Sequence, residues 1–311
     1  MRGQTDRPGA SSRVCVITGA SSGIGIEATK QLASAGMSVI GIGRAPEACR
    51  RAEEETRRSC PGAEVRVIAA DLSSMESVRR AAAGIRDGLP GGRLDRLIHN
   101  AATIANHYEG TADGYELQFA VNYLAAFLLT RELFPALTRP EEARIVAISS
   151  GSHRQAEIAW DDPMFLRRYN GLRAYKQSKL ALVLFTMELN RRAAYRFPLR
   201  AIGVELGPVD TAVGDKRAGE PGRGRSKRRG KKGISPADAA TAIVRLATDP
   251  PSSIVSDYWR LGRPIEPSPY ARNAEAALRL WQLSEKLCGT DFLGPAASDP
   301  MDAPRLAAEY P

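Results

Sequence analysis

Short apolar runs rich in β-branched residues alternate with longer helix-like segments along most of this chain. The apolar runs are RVCVIT (13–18), MSVIGIG (37–43), EVRVIAA (64–70), LDRLIH (94–99), ARIVAIS (143–149), RAIGVEL (200–206) and DYWRLG (257–262). Helix-like periodicity occupies 24–35, 45–58, 74–87, 112–137, 172–196 and 271–287. Strands separated by helices pair in parallel through right-handed crossovers, and apolar runs without strict alternation belong to sheets covered on both faces. The pattern predicts a doubly wound α/β (Rossmann) fold with a mostly parallel sheet of about seven strands.

The compact part is predicted to be a single domain over 13–290, because the alternating pattern covers that range. A hydrophobic content of 43% is enough for the core of one large domain. Ser235 and Pro236 have the residue types of an N-cap and a first helical position, so they predict the start of a further helix. A loose tail over 1–12 and a flexible Pro- and Ala-rich tail over 291–311 would flank the domain.

Most of the positive charge lies in one Gly-rich segment. The chain has a net charge of +9, and the stretch 215–232 holds nine Lys or Arg against Asp215 and Glu220. This stretch forms the core of a predicted basic insertion over 212–234, which is either a solvated surface loop or an anion-attracting lid over a charged substrate or cofactor. Because the charge is confined to one loop, a nucleic-acid partner is not expected.

Several classes of protein are disfavoured by what the sequence lacks. No run of 18 or more apolar residues occurs, and no apolar stretch of signal-peptide type follows the N-terminal arginines, so we expect a cytoplasmic protein without a membrane anchor. Widely spaced cysteines indicate reduced thiols rather than disulfides or a zinc site; they are Cys15, Cys49, Cys60 and Cys288. The histidines are not spaced like metal ligands, so no metal is expected; they are His99, His107 and His153.

A glycine-rich turn follows the first predicted strand. The stretch TGASSGIG places Gly19, Gly23 and Gly25 between this strand and the first helix. Glycines there let the backbone approach a pyrophosphate closely, and the helix N-terminus offers free N–H groups and the positive end of its dipole. In an alternating α/β pattern, this turn predicts a dinucleotide site rather than a mere tight turn.

The motifs along about 12–290 resemble those of the short-chain dehydrogenase/reductase family. They are Thr-Gly-x-x-x-Gly-x-Gly, Asp-Leu after the third strand, His-Asn-Ala-Ala after the fourth, a helix asparagine, a serine after the fifth strand, Tyr-x-x-x-Lys, and LGPVDT after the sixth. Two departures are Ala102 in place of a glycine and the reversed order of Gly207 and Pro208. The resemblance implies a nicotinamide dinucleotide site formed by Thr18, Gly19, Ser21, Ser22, Gly23, Ile24, Gly25, Arg44, Asp71, Leu72, Asn100, Ala101, Ala102, Tyr175, Lys179, Pro208, Val209 and Thr211.

The predicted chemistry centres on a tyrosine and a lysine one helical turn apart. A carbonyl that receives hydride develops negative charge on oxygen and then needs a proton. The Tyr175 hydroxyl can donate both the hydrogen bond and the proton, and the ammonium of Lys179 would lower the pKa of the phenol. The resemblance assigns Ser150 as a second donor and Asn122 as the holder of a water in the proton relay. Ser149 is a rival to Ser150, although alternate residues of a strand face opposite sides.

The end of the second strand predicts the cofactor. NAD-preferring sites place an acidic residue there for the ribose 2′-hydroxyl. This chain has Gly43 at that position and Arg44 next, and an arginine can pair with a 2′-phosphate. We therefore expect NADP(H), against the alternative that Arg44 is only a surface charge at the helix start.

The long segment between Ser150 and Tyr175 resembles that of the subgroup containing retinol dehydrogenases, the WW-domain oxidoreductase and protochlorophyllide reductases. The resemblance implies hydride transfer to or from a carbonyl or alcohol of a bulky, lipophilic or polycyclic small molecule. Of the three histidines, His153 is the first candidate to contact this substrate, although the absence of such a contact is the favoured interpretation. Aromatic residues of the segment could form the pocket wall or simply cover the core; they are Trp160, Phe165 and Tyr169.

Two alternative functions remain open at the level of sequence. One is an epimerase, dehydratase or C=C reductase with the same cofactor and tyrosine. The other is an NADP-sensing regulator whose basic loop binds nucleic acid or a partner. The resemblance also implies a homodimer or homotetramer that pairs through the helices predicted at 112–137 and 172–196.

Overall fold

A computed structural model describes residues 13–210 and 233–294. It contains one eight-stranded sheet in the order β3-β2-β1-β4-β5-β6-β7-β8. All neighbouring pairs are parallel except the last, in which β7 and the two-residue β8 are antiparallel. The strands are β1 (Val14–Thr18), β2 (Ser38–Gly43), β3 (Val65–Ala69), β4 (Arg96–His99), β5 (Ala143–Ile148), β6 (Leu199–Glu205), β7 (Tyr258–Arg260) and β8 (Arg263–Pro264). The predicted doubly wound, mostly parallel fold is confirmed.

Helices cover both faces of the sheet. They are α1 (Gly23–Ser34), α2 (Pro46–Ser59), α3 (Met75–Asp87), α4 (Leu117–Phe119), α5 (Ala125–Leu137), α6 (Gly171–Ala193), α7 (Pro236–Thr248) and α8 (Ala274–Cys288). Helices α1, α2 and α7 pack on one face, and α3, α5, α6 and α8 pack on the other. The Ser235 side chain accepts a hydrogen bond from the Asp238 N–H, so α7 begins at the predicted cap.

The prediction of a helix over 112–137 was wrong about where the helix begins. Gly114 has φ +81° and belongs to a turn, and the Glu116 side chain caps the helix by accepting from the Phe119 N–H. Helical structure therefore begins at Leu117. Between α4 and α5 the chain forms a π-helical segment, Ala120–Leu124. Such segments arise where the regular hydrogen-bond ladder is interrupted, and they occur frequently at functional sites.

Helix α8 packs against α6 through a cluster of aromatic rings. Trp281 of α8 lies between Phe185 and Phe292, with ring centroids 5.8 and 4.9 Å away. The guanidinium of Arg192 lies 4.6 Å from the Trp281 ring. Phe292 is buried, so the packed region continues beyond residue 290, where the sequence placed the end of the domain. Helix α8 thus covers part of the surface of α6, one of the helices expected to pair between subunits.

Candidate active site

The direction in which strands are added to the sheet reverses between β1 and β4. In open parallel sheets, ligands bind beyond the carboxyl ends of the strands at such a reversal. Two adjoining cavities of about 340 and 330 Å³ lie there. They share four lining residues, Gly19, Ser22, Ala101 and Ala102. Together they form one elongated cleft, whose two parts we call the first and the second cavity.

The glycine-rich turn forms the shared wall of the cleft. Gly19 and Gly23 have φ values of +70° and +55°, a conformation that side chains disfavour. A Cβ at Gly25 would lie 1.9 Å from the Gly19 carbonyl oxygen, so only glycine allows α1 to approach the turn. The Ser22 side chain makes no capping hydrogen bond to α1. The first N–H groups of the helix are therefore available to an anion.

The first cavity contains several residues of the predicted dinucleotide site. Its lining includes Ser21, Arg44, Asp71 and Leu72. Arg44 is exposed and forms no ion pair with the residues that the structure describes. A Cβ at Gly43 would lie 2.6 Å from the Cys49 sulfur and 2.7 Å from the Ser21 hydroxyl, so an acidic side chain does not fit there.

The end of β4 is tied to the end of β1. Asn100 Nδ2 donates to the Thr18 carbonyl at 2.9 Å and to the Gly19 carbonyl at 3.4 Å. The Thr18 hydroxyl accepts from the N–H groups of Asn100 and Ala101, each at 3.0 Å. Thr18 is buried behind the wall and lines neither cavity, whereas Asn100, Ala101 and Ala102 line the second one. This network holds the floor of the cleft in place.

The second cavity brings together the predicted reactive residues Ser150, Tyr175 and Lys179. Ser150 Oγ accepts hydrogen bonds from the Ser152 N–H at 3.3 Å and from the Ser152 hydroxyl at 3.0 Å. Its own O–H has no acceptor among the described residues, so it is available to a ligand in the cavity. The Ser149 hydroxyl instead donates to the Lys179 carbonyl at 2.9 Å, and Ser149 is buried. These orientations favour Ser150 over Ser149 as the donor to a substrate.

Tyr175 and Lys179 lie one turn apart near the start of α6, where the Asn170 side chain caps the helix by accepting from the Arg173 N–H. The Lys179 ammonium donates to the Ile148 carbonyl at 2.8 Å and lies 6.0 Å from the centre of the Tyr175 ring. Burial lowers the pKa of Lys179 to about 8. At neutral pH the ammonium therefore remains mostly protonated and places a positive charge next to the phenol of Tyr175.

Asn122 is part of the π-helical segment and lines neither cavity. Its Oδ1 accepts from the Thr103 N–H at 2.7 Å, and its Nδ2 donates to the Thr103 carbonyl at 3.0 Å and to the Ser178 hydroxyl at 2.9 Å. Both amide hydrogens are thus used by protein groups. Asn122 links the segment after β4 to α6, and a water could reach it only through the second lone pair of Oδ1.

Only some of the remaining predicted residues line the cleft. Val209 lines the second cavity but Pro208 does not, and Thr211 and the stretch 215–232 lie outside the described residues. His153 is fully buried and lines neither cavity, which agrees with the favoured interpretation that it does not contact the substrate. The sequence reasoning missed several lining residues that lie within a few residues of a strand's carboxyl end; they are Ala45, Ala48 in the first turn of α2, Ser73, Ile104, Leu206 and Gly207. Their position after the carboxyl ends of strands was the available signal.

The aromatic residues of the long segment do not line the cleft. Trp160 packs against the core and donates its ring N–H to the Tyr270 hydroxyl at 3.2 Å. Phe165 is buried beside a separate cavity of about 280 Å³. The Tyr169 hydroxyl donates to the Glu116 carboxylate at 2.8 Å. Of the two expectations for these rings, covering the core fits the structure better than forming the pocket wall.

Comparison with known proteins identifies the family. The family model described as short chain dehydrogenase matches residues 13–221. The chain belongs to the short-chain dehydrogenase family. Retinol dehydrogenase 13 of Homo sapiens is 33% identical over 290 residues, covering 90% of this chain and 85% of that protein. Polyprenol dehydrogenase of Danio rerio is 32% identical over 292 residues, covering 91% and 89%. This short-chain dehydrogenase is therefore similar to retinol dehydrogenases, as expected from the long segment before Tyr175.

Solved structures of similar proteins agree with this assignment. An uncharacterized protein of Mycobacterium paratuberculosis matches with a TM-score of 0.71 and 33% identity, covering 92% of this chain and 97% of that one. A short chain dehydrogenase of Shigella flexneri complexed with NADP matches with a TM-score of 0.59 and 26% identity, covering 76% and 91%. In residues 13–210 and 233–294, no helix has both the length and the apolar character needed to cross a membrane.

Proposed function

We propose that this short-chain dehydrogenase is an NADP(H)-dependent oxidoreductase that interconverts a carbonyl and an alcohol on a bulky, lipophilic small molecule. The observation that carries the proposal is the second cavity, where the open O–H of Ser150 lies with Tyr175 and the buried ammonium of Lys179. A hydrogen-bond donor, a proton donor and a fixed positive charge are the groups that carbonyl reduction needs from a protein.

The cleft fits a nicotinamide dinucleotide. The turn at Gly19 and the N-terminus of α1 suit a pyrophosphate, because Gly25 lets the turn and the helix approach closely and the Ser22 side chain does not cap the first N–H groups of α1. Residues lining the second cavity would hold the nicotinamide half, among them Ile24, Asn100 and Ala101. When bound, the nicotinamide supplies or accepts the hydride.

Three residues of the chain then stabilise the developing charge and transfer the proton. Ser150 donates its free O–H to the substrate oxygen and stabilises the negative charge that develops there. Tyr175 donates its phenolic proton to the same oxygen in the reductive direction and takes it back in the oxidative one. Lys179 keeps a positive charge beside Tyr175, which favours the phenolate left after the proton has moved.

The preference for NADP(H) rests on the end of β2. A side chain at Gly43 would collide with Cys49 and Ser21, which disfavours the acidic residue of an NAD site. Arg44 lines the first cavity and could pair with a 2′-phosphate. Two similar solved structures, including one of a metagenomic short-chain oxidoreductase, are complexes with NADP, which supports the same choice.

The substrate class follows from the relatives and from the cavity wall. Retinol and polyprenol are lipophilic alcohols, and the second cavity presents apolar side chains from Ile104, Ile148, Leu206 and Val209. A substrate with an extended apolar part would bury these side chains from water. Cytoplasmic location and assembly into a homodimer or homotetramer belong to the same proposal.

The experiment follows NADPH oxidation at 340 nm with a panel of lipophilic aldehydes, ketones and quinones. Tyr175→Phe should lower turnover about 10²- to 10⁴-fold, because the variant lacks the proton donor. NADPH affinity, measured by fluorescence titration, should stay within about twofold, since the ring remains. Tyr195→Phe changes a tyrosine that is 84% exposed and should behave like the parent protein.

Two results would contradict the proposal. Full activity of Tyr175→Phe would exclude the tyrosine as proton donor. Tight NADPH binding without turnover of any panel member would favour an epimerase, a dehydratase or C=C reductase, or an NADP-sensing protein.

A further inference from the structure

A group of buried polar side chains lies directly behind Ser150, outside the cleft. It consists of His153, Glu205 and Tyr258, which come from the turn after β5, the end of β6 and the start of β7. All three side chains are at least 95% buried. Burying polar groups is costly unless they are hydrogen-bonded to one another. The hydrogen bonds that these three side chains make therefore indicate what the cluster does.

The hydrogen bonds of His153 determine which ring nitrogen carries the proton. Its Nε2 lies 3.1 Å from the main-chain N–H of Ser268, a group that can only donate. Nε2 must therefore accept, and in a neutral ring the proton sits on Nδ1. Nδ1 lies 2.7 Å from the Ser150 carbonyl oxygen and donates to it. Burial lowers the pKa of His153, so the ring stays neutral at neutral pH.

Tyr258 and Glu205 also lie beside Nδ1 of the imidazole. The Tyr258 hydroxyl lies 3.3 Å from His153 Nδ1 and donates to the Glu205 carboxylate at 3.2 Å. Glu205 also pairs with the guanidinium groups of Arg154 and Arg260, at 3.5 and 3.8 Å. The negative charge of Glu205 is thus balanced by arginines, and the imidazole can remain neutral beside it.

We propose that His153 is a positioning residue that fixes the backbone of Ser150 and thereby the direction of its hydroxyl in the second cavity. Ser150 is the N-cap of the short 3₁₀ turn Gly151–Gln155, and His153 belongs to the same turn. The Nδ1 bond to the Ser150 carbonyl and the Ser152 bonds to the Ser150 hydroxyl together leave this residue little freedom. The inference rests on the proposed role of Ser150 as donor to the substrate oxygen. Because effective hydride transfer needs a precise arrangement of donors, a small rotation of Ser150 should lower turnover without weakening ligand binding.

A matched pair of variants tests this role. His153→Asn can place an amide N–H near the position of Nδ1 and keep the bond to the Ser150 carbonyl. His153→Gln places its amide near the position of Nε2, where it can accept from Ser268 but cannot reach the Ser150 carbonyl in the same way. We expect His153→Gln to lower kcat about 10- to 100-fold, while KM and NADPH affinity change about twofold at most and His153→Asn recovers most of the activity.

Other outcomes overturn the proposal. If both variants lose equal activity, or if kcat per folded molecule of His153→Gln equals that of the parent, His153 has only a structural role. If His153→Gln does not fold, Tyr258→Phe removes one contact of the ring and should still reduce kcat selectively; an unchanged kcat would count against the proposal.

A measurement without substrate separates this inference from the proposed function. The ¹⁵N spectrum of the imidazoles in the free protein should show His153 as the neutral Nδ1–H tautomer, and a Nε2–H tautomer would refute the geometry. If the parent protein reduces no carbonyl but shows the Nδ1–H tautomer, the proposed function fails while the arrangement around Ser150 stands. If turnover depends on Tyr175 but the tautomer is reversed, the proposed function stands and the inference fails.

Discussion

The two cavities of the cleft are built in different ways. The first cavity and the shared turn depend on main-chain geometry: two glycines have positive φ, Gly25 touches the Gly19 carbonyl, and the helix N-terminus is left open. The second cavity depends on side chains that are held by partners far away in the chain, such as Lys179, whose ammonium donates to the Ile148 carbonyl 31 residues earlier. The difference indicates that changes in the first part should alter cofactor affinity, and changes in the second part should alter turnover.

After that of Tyr175→Phe, the largest expected effect on turnover comes from Ser150→Ala. The loss of a hydrogen-bond donor to a developing oxyanion costs about 10²- to 10³-fold in kcat. NADPH affinity should be unchanged, since the first cavity is untouched. Steady-state kinetics and a fluorescence titration measure the two quantities separately. Normal activity of Ser150→Ala with loss of turnover in Ser149→Ala would reverse the assignment of the donor.

A comparable effect on affinity is expected from Gly25→Ala. The added Cβ would lie 1.9 Å from the Gly19 carbonyl oxygen, so α1 must move away from the turn. Overpacking of this kind costs about 1–3 kcal/mol, and we expect NADPH affinity to fall about 100-fold. Gly84→Ala is the control, because a Cβ at Gly84 of α3 meets nothing within 4 Å. If kcat at saturating NADPH falls more than NADPH affinity does, the first cavity also controls turnover, and the division between the two cavities is wrong.

A smaller effect on cofactor affinity is expected from a change at Arg44 in the first cavity. Arg44→Ala should weaken NADPH binding about 10-fold and leave NADH binding unchanged. A charge-assisted hydrogen bond contributes about 1.5–3 kcal/mol, and the lower end of that range applies because Arg44 is exposed and its charge is screened by solvent. Arg51→Ala removes an exposed arginine of the neighbouring helix α2 that does not line the cavity, and it should change neither affinity. Equal losses for NADPH and NADH in Arg44→Ala would show that Arg44 does not select the cofactor.

The smallest expected effect is on the free energy of unfolding and involves a residue outside both cavities. His99 is fully buried against the Thr130 hydroxyl, and burial lowers its pKa to about 3. The unfolded chain takes up a proton near pH 6.5, whereas the folded chain does not, so stability falls as the pH is lowered. Between pH 7 and pH 6 this histidine should account for about 0.7 kcal/mol of the free energy of unfolding, and His153 acts in the same direction.

Urea unfolding at several pH values measures this loss of stability. His107→Asn changes an imidazole that is 79% exposed and should preserve the pH dependence. A free energy of unfolding that does not change between pH 7 and pH 6 would contradict the buried, neutral state of His99 and His153.

The features that could be predicted from sequence are those with local causes. The alternation of strands and helices, the glycine-rich turn and the cap at Ser235 each depend on residues close together in the chain, and the fold and these elements were predicted correctly. The Tyr175 and Lys179 pair was located because helical spacing alone puts the two side chains on one face.

The features that escaped prediction depend on distant partners. The position of His153 just after Ser150 does not reveal that its ring is buried away from the cleft, because its partners include Ser268, 115 residues further along the chain. Helix α4 starts late because Glu116 caps it, although the apolar pattern of the helix begins earlier. The burial of Phe292 depends on Trp281 and Phe134, whose rings no local pattern brings together. Long-range contacts of this kind leave no periodic signal in the sequence.

The aromatic packing of α8 has a consequence for the order in which the protein is made. Synthesis proceeds from the N-terminus, so α5 and α6 are complete long before Trp281 and Phe292 exist to cover Phe127 and Phe185. A nascent or truncated chain that ends before α8 would present these rings to water, and exposed apolar surface promotes aggregation. Helix α8 thus completes this part of the core only after α5 and α6 have been made, and premature termination before it should leave an insoluble product rather than a slightly shorter enzyme.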